Sequence, residues 1–333
     1  MTRNIKEFVN HGDMVGAAVR KNGEIGADHV CILLGLYNGA STLGVQLDSI
    51  ASQTHLDWSL IISDDGSQDD WIEIVSRFRD RHDPDRTWIT QGPRRGFARN
   101  FLALAEMAGP LVPYAAFCDQ DDAWMDQKLA RALAHLKSVP VHQPALYCGR
   151  TIVCSSDLTP LRASPCFGRS PQFANALVQN IGGGNTMVLN RAALDLVQDT
   201  ARLADDVISH DWWIYQLVTG AGGTVFYDRK PTVLYRQHDR NLVGANDTFR
   251  ASLYRIGQLF AGRYRTWNAA NTNALQRARH WLTPEARTTL DAFATARRGN
   301  LLERLRALWL SRVWRQTRRG TAALWLAALI DRL

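Results

Sequence analysis

Apolar runs bounded by turn residues alternate with stretches of helical period along the first half of this chain. His29–Leu36 (HVCILLGL) is continuously apolar and stops at Tyr37-Asn38-Gly39-Ala40-Ser41; such a run predicts a buried strand. From Ser41 or Thr42, the spacing of Leu43, Leu47, Ile50 and Ala51 predicts a helix. The alternation then repeats. Trp58–Ser63 reads as a strand, Asp70–Arg81 as a helix capped by Ser67 or Asp69, and Thr87–Thr90 as a short strand. Gly96 opens a helix through Phe97, Phe101, Leu104 and Ala105. Val112–Cys118 is a fourth strand, and Asp126–Lys137 a helix with Asp126 as its cap. Four strand–helix repeats imply an α/β class with a parallel sheet and helices on both faces.

The regularity falls in the second half. Ala145–Cys154 is another apolar strand, and Thr159–Pro171, rich in Pro, Ser and Arg, reads as a long loop. Gly182-Gly183-Gly184-Asn185 precedes a short strand, Thr186–Leu189, and a helix around Arg191–Leu203. An aromatic helix, Trp212–Val218, follows Ser209-His210-Asp211. Two strands, Thr224–Tyr227 and Thr232–Arg236, lead to Gln237-His238-Asp239, and the chain after Asp247 reads as helical. These shifts divide the chain into a lead-in (1–28), a main domain (29–246) and a basic helical region (247–333).

Composition narrows the class. With 46% hydrophobic and 21% charged residues over 333 positions, the chain is globular. No apolar run is long enough for a membrane span, and the polar N-terminus has no signal-peptide core. The five cysteines show no CxxC spacing and mostly sit in apolar runs, which predicts reduced core thiols of a cytoplasmic protein and no zinc site. The net charge of +7 is unevenly spread. From Asp247 onward there are 16 Arg, no Lys and 5 acidic residues, so that region carries +11 and the first 246 residues −4. Leu301–Leu333 mixes Leu and Trp with seven Arg. It reads either as a packing or oligomer-contact segment, or as an amphipathic element on an anionic membrane surface.

Candidate chemistry concentrates at strand ends. Asp119-Gln120-Asp121-Asp122 puts three carboxylates in four residues at the carboxyl end of the fourth strand, where open α/β sheets bind ligands. In extended backbone Asp119 and Asp121 point the same way and can grip a hard cation. Asp64-Asp65-Gly66-Ser67 ends a second strand on the same sheet edge, so the two acidic loops suggest a metal–nucleotide site. Asp211, beside Trp212 and Trp213, is either a helix cap or a general base near an aromatic acceptor platform. His238 is either a strand-end core residue, or a side chain that completes a metal shell or contacts a leaving phosphate. A nucleotidyltransferase would share the acidic site, but Gly35–Ser41 lacks the basic triphosphate-binding residues it needs. A nucleic-acid-binding protein would account for the Arg-rich tail, yet its Trp residues are set among Leu.

In order along the chain, the motifs are Tyr37-Asn38-Gly39, Gln53-Thr54, Asp64–Asp69, Gly96–Asn100, Asp119–Trp124 with Lys128, Asp211-Trp212 and Gln237-His238 with Asn241 and Gly244. This set resembles the inverting family-2 glycosyltransferases of the GT-A fold, most nearly their rhamnosyltransferase-like branch. The resemblance covers residues 30–245 and implies a mixed, mainly parallel sheet flanked by helices, with a helical C-terminal extension. It implies a nucleoside-diphosphate donor (dTDP- or UDP-sugar, best rhamnose), a cell-envelope glycan or lipid-linked acceptor, no nucleic acid, and a Mg2+ or Mn2+ ion. Such an enzyme works in the cytoplasm, at the inner face of the inner membrane. Carried over, Tyr37 flanks the nucleobase, Asp64 accepts from it, and Asn38, Asp65 and Asn100 belong to the donor side. Asp119 lies by the ribose or metal, Asp121 binds the metal with His238, and Asp211 is the base. Trp212, Trp213 and Asp122 fall on the acceptor side. Leu34-Gly35-Leu36 departs from the pattern, since the family has a small hydroxyl residue there.

Overall fold

The structure is a computed structural model describing residues 25–82, 84–237 and 263–333. In chain order it comprises β1 (Val30–Leu36), α1 (Ala40–Ala51), β2 (Trp58–Asp64), α2 (Trp71–Arg81), β3 (Thr87–Gln91), α3 (Phe97–Met107), β4 (Tyr114–Asp119) and β5 (Ala123–Trp124). Then come α4 (Lys128–Leu136), β6 (Ala145–Cys154), β7 (Pro160–Ala163), α5 (Phe173–Ala176), β8 (Val188–Asn190), α6 (Arg191–Thr200), α7 (His210–Gly220) and β9 (Thr224–Arg236). Four helices close the chain: α8 (Arg263–Arg277), α9 (Pro284–Ala296), α10 (Leu301–Ser311) and α11 (Arg318–Leu329).

The sheet runs β3-β2-β1-β4-β8-β6-β9-β5, with β7 paired to β6. The β3-β2-β1-β4 half is parallel, as the strand–helix repeats predict, and β8 joins it antiparallel to both β4 and β6. Side chains alternate faces along β1. Cys31 and Leu33 enter one core with α3, α6 and α7, while Val30, Ile32, Leu34 and Leu36 enter the other with α1, α2 and α4. The C-terminal helices add Leu275, Leu290, Phe293, Leu308 and Leu324 to the first of these cores, so the described part of the basic region is not separately packed.

One link dictates the shape of the sheet. Only three residues, 120–122, join β4 in the middle to β5 at the far edge. They reach at most about 14 Å, whereas four strand spacings in a flat sheet would be about 19 Å. The sheet must therefore curl until its β9-β5 edge comes back over the end of β4.

Several sequence expectations change. The two strands around residue 228 are one strand, β9, because its Asp228–Pro231 stretch passes through a register shift against β6 rather than a turn. Part of the expected Thr159–Pro171 loop is β7. Neither Ser67 nor Asp69 caps α2: Asp69 accepts from the Ala40 N–H at the start of α1, 2.8 Å, and Ser67 Oγ from the Asn38 N–H, 2.8 Å. Asp126 does not cap α4; the Leu129 N–H donates instead to Gln53 Oε1, 3.1 Å, from the end of α1.

Candidate active site

Three parallel strands deliver the acidic residues to one edge. On β1, Leu36 pairs with Asp64 of β2, and Gly35 pairs with Asp119 of β4. Asp64 and Asp119 thus flank the end of β1 about two strand spacings, roughly 10 Å, apart. Tyr37, the residue that follows β1, is 59% exposed between them. The amide of Gln120 clamps its backbone, accepting from the Tyr37 N–H (2.7 Å) and donating to its carbonyl (2.9 Å). Asp64 accepts from the Ser67 N–H, 2.9 Å, which closes its own loop.

Other expected donor-side residues turn out to hold loops. Asp65 accepts from the Arg94 N–H (2.6 Å) and the Gly96 N–H (2.9 Å), fixing the turn into α3. Gly96 has φ +86 there, a conformation that a side chain would strain. Asn38 accepts from the Gln68 N–H, 2.8 Å. Asn100 is buried and bonds Ser63 through both hydroxyl (2.5 Å) and carbonyl (3.0 Å), so it packs beneath the edge and cannot reach a donor directly.

The carboxylates of Asp119, Asp121 and Asp122 each offer an oxygen within 4.8 Å of the others. They converge through a turn at Gln120-Asp121, not through strand alternation as expected from extended backbone. Asp122 points inward rather than toward an acceptor: it is fully buried, and accepts from Asn185 Nδ2 (2.5 Å) and the Arg236 N–H (3.1 Å). Arg236 Nε also donates to the Asp121 carbonyl, 2.7 Å. Burial, then the Asp121 charge, pushes Asp122 up to about 7, against the bonds from Asn185 and Arg236. Burial and the charges of Asp122, Asp121 and Asp211 push Asp119 well above the carboxylate range. Lys128 lies beneath, its ammonium 3.6 Å over the Trp124 ring and pushed down to about 7 by burial. Carboxylates that repel this strongly fit a divalent cation. His238 falls outside the described residues.

Asp211 sits in the first turn of α7, two residues past the point a cap would occupy, since Ser209 is the N-cap. It accepts from the Trp212 N–H (2.6 Å) and the Gly184 N–H (3.2 Å). Trp212 and Trp213 form no open platform: they are 6% and 0% exposed, and the Trp212 indole donates to the Ala176 carbonyl, 2.6 Å. Their burial supports α7 from below. His210 is caged by Phe97, Phe101 and Phe117, and burial pushes it down to about 4, so it is neutral.

Sequence reasoning left Gly182–Asn185 without a role. In the structure this segment is a strap: Gly184 N–H holds Asp211 and Asn185 holds Asp122. Gly184 is required by close approach, since a Cβ there would lie 2.2 Å from His210 Nε2. A run of glycines ending in an amide residue before a strand was the available signal. Gln120 and Arg236 were also missed, because their partners are backbone atoms far off in sequence.

The sequence model of Glycosyl transferase family 2 matches residues 31–194, the span from β1 through the acid cluster to α6. The chain belongs to that family. The transferase is 29% identical over 255 residues to the dTDP-rhamnosyl transferase RfbG of Shigella flexneri, covering 72% of this chain and 83% of that protein. It is 27% identical over 169 residues to the Escherichia coli glucosyltransferase WfgD, named for a GlcNAc-diphosphoundecaprenol acceptor, covering 50% of this chain and 62% of that one. A mannosyltransferase from Pyrobaculum calidifontis, solved with GDP-Man and Mn2+, shares the fold with a TM-score of 0.50 at 17% identity, over 90% of this chain and 79% of that one. The transferase is therefore a GT-A hexosyltransferase that uses a nucleotide-sugar donor. The nucleotidyltransferase and nucleic-acid readings find no support in these matches.

Proposed function

We propose that this transferase moves a rhamnosyl group from dTDP-rhamnose to a hydroxyl of a lipid-linked or cell-envelope glycan, with inversion at the anomeric carbon. The observation that carries the reading is the convergence of Asp119, Asp121 and Asp122 at the end of β4, within electrostatic reach of Asp211 and on the same sheet edge as Asp64. The likeness to a dTDP-rhamnosyl transferase favours this donor over a UDP-sugar.

In this reading Tyr37 flanks the base and Asp64 accepts from it, on loops fixed by Asn38, Asp65 and Asn100. Asp119 and Asp121 would hold a divalent cation, and the neighbour solved with Mn2+ favours that ion over Mg2+. When bound, the cation supplies countercharge to the leaving diphosphate. Asp211 takes the proton of the acceptor hydroxyl as the new C1–O bond forms and the bond from C1 to the phosphate oxygen breaks. Its two N–H donors, from Trp212 and Gly184, fix the carboxylate in place for that transfer. Trp212, Trp213 and Asp122 serve the acceptor side by supporting Asp211 and the strap, not by touching the acceptor. A lipid-linked acceptor sets the enzyme at the cytoplasmic face of the inner membrane, and no described helix is long and apolar enough to cross one.

A donor panel decides the sugar, with nucleoside diphosphate release as readout and the product anomer read by NMR. Asp211→Asn should lower kcat by about 10³ while donor affinity is kept. Near-normal transfer by that variant would remove Asp211 from the role of base.

A further inference from the structure

The last two helices are amphipathic in an inverted sense. With about 3.6 residues per turn, α10 turns Ala307, Leu308 and Ser311 inward, and leaves Leu301, Leu302, Arg306, Trp309 and Leu310 on its outer arc. Leu302 is 80% exposed and Trp309 68%. Likewise α11 buries Leu324, Ala327 and Ala328, and exposes Arg318, Arg319, Leu326 and Leu329, with Ile330 exposed just past its end. Seven of the fifteen large apolar side chains exposed among the described residues fall in Leu301–Ile330; the other eight are scattered from Tyr37 to Leu161. Scattered exposure needs no explanation, whereas a concentrated patch marks a binding surface.

Charge says what that surface meets. Leu301–Leu333 holds seven arginines and two carboxylates, net +5. Two of the arginines serve the fold: Arg304 bonds the Ala328 carbonyl (2.8 Å) and pairs with Asp331 (3.0 Å), and Arg315 stacks on Tyr264. The other five (Arg306, Arg312, Arg318, Arg319 and Arg332) are exposed, with no carboxylate partner among the described residues. A second copy meeting this face about a two-fold axis would bring arginines against arginines. Apolar side chains interleaved with exposed guanidinium groups instead suit the phosphate-and-acyl boundary of a bilayer.

We propose that the outward faces of α10 and α11 dock this protein on an anionic lipid surface. The inner side of the same pair leads toward the reaction site. Past α10, the Trp314 carbonyl accepts from Asn175 Nδ2 (3.0 Å), and the Gln316 N–H donates to Gln179 Oε1 (2.8 Å). The segment 172–179 so held receives the Trp212 indole next to Asp211. A docked bilayer is therefore connected, through one short segment, to the helix that carries Asp211. Vesicle binding itself requires nothing of the donor or acceptor assignment.

The test is co-sedimentation of the full chain with phosphatidylglycerol–phosphatidylcholine vesicles and with phosphatidylcholine alone. Binding should require the anionic lipid and weaken with salt. A Leu302→Ser/Trp309→Ser/Leu326→Ser variant should bind at least about tenfold more weakly, and Arg318→Gln/Arg319→Gln roughly fivefold more weakly per arginine. Both variants should keep the wild-type circular dichroism and its turnover of a water-soluble acceptor, because the altered side chains lie outside the core. Unchanged vesicle binding by either variant would overturn the proposal. So would equal binding to neutral vesicles, or a wild-type dimer that the apolar variant converts to a monomer in size-exclusion chromatography.

Discussion

Two buried carboxylates lie against the β9 side of the sheet, and the protein treats them in opposite ways. Asp228, 9% exposed, accepts from Arg131 Nε (3.0 Å) and Nη2 (2.6 Å), the Tyr147 hydroxyl (2.8 Å) and the Lys230 N–H (2.9 Å). Burial pushes its pKa up, but these donors more than offset that and hold it below the usual range. Asp122 is fully buried beside two more carboxylates, with an amide and one backbone N–H as its donors, and is pushed up to about 7. The first carboxylate is balanced from within. The second is left short of positive charge within the acidic cluster, so the difference separates an anion balanced inside the fold from a cluster whose charge fits a cation.

The largest test of this contrast is catalytic. Asp121→Ala should lower nucleoside diphosphate release at least about 100-fold and abolish the rise in Tm on adding Mn2+, with the fold unchanged by circular dichroism. Transfer that survived this change would place the cation elsewhere. Asp228→Ala should do the reverse: lose about 3 kcal/mol in urea unfolding, because Arg131 and Tyr147 are left unmatched, and keep its Mn2+ response. A lost Mn2+ response in that variant would merge the two sites.

The smallest effect is on pH. The folded-state pKa values of Asp119 and Asp122 lie above the ordinary carboxylate value of 3.8. Between about 4 and 7 the metal-free fold then binds more protons than the unfolded chain, so its stability falls as pH rises through that window. Asp228 has the opposite sign: its contribution is present above the unfolded value and is lost as pH falls through the lowered folded one. Bound Mn2+ removes the penalty on the cluster alone. The gap in Tm with and without Mn2+ should therefore widen by about 5 °C from pH 5 to pH 7, and a constant gap would contradict the charge imbalance.

How much of this was legible in the sequence depends on the span of the contacts. The parallel half of the sheet follows from local pattern, because each strand and its helix are neighbours in the chain. That pattern also brought Asp64 and Asp119 to one edge. The orientation of Asp122 was not legible, since it is set by Asn185, 63 residues away, and by Arg236, 114 residues away. Trp212 and Trp213 looked like a platform because an aromatic pair beside an acid has no intrinsic inside or outside. The Ala176 carbonyl and the core decide it. The caps failed for a related reason: Asp69 and Gln53 serve helices other than those they adjoin or precede most simply in sequence.

The short β4–β5 link has a consequence for how the protein is born. β5 pairs with β9, so the carboxylate turn between β4 and β5 has its second anchor only when residues near 233 exist. During synthesis, a chain that has emerged through α4 can already form the parallel half of the sheet, yet its acidic turn hangs from a single strand. Contacts this distant in sequence form late and slowly. Competence to hold a donor is therefore among the last properties the nascent chain acquires, and the mature turn acts as the clasp that closes the curled sheet.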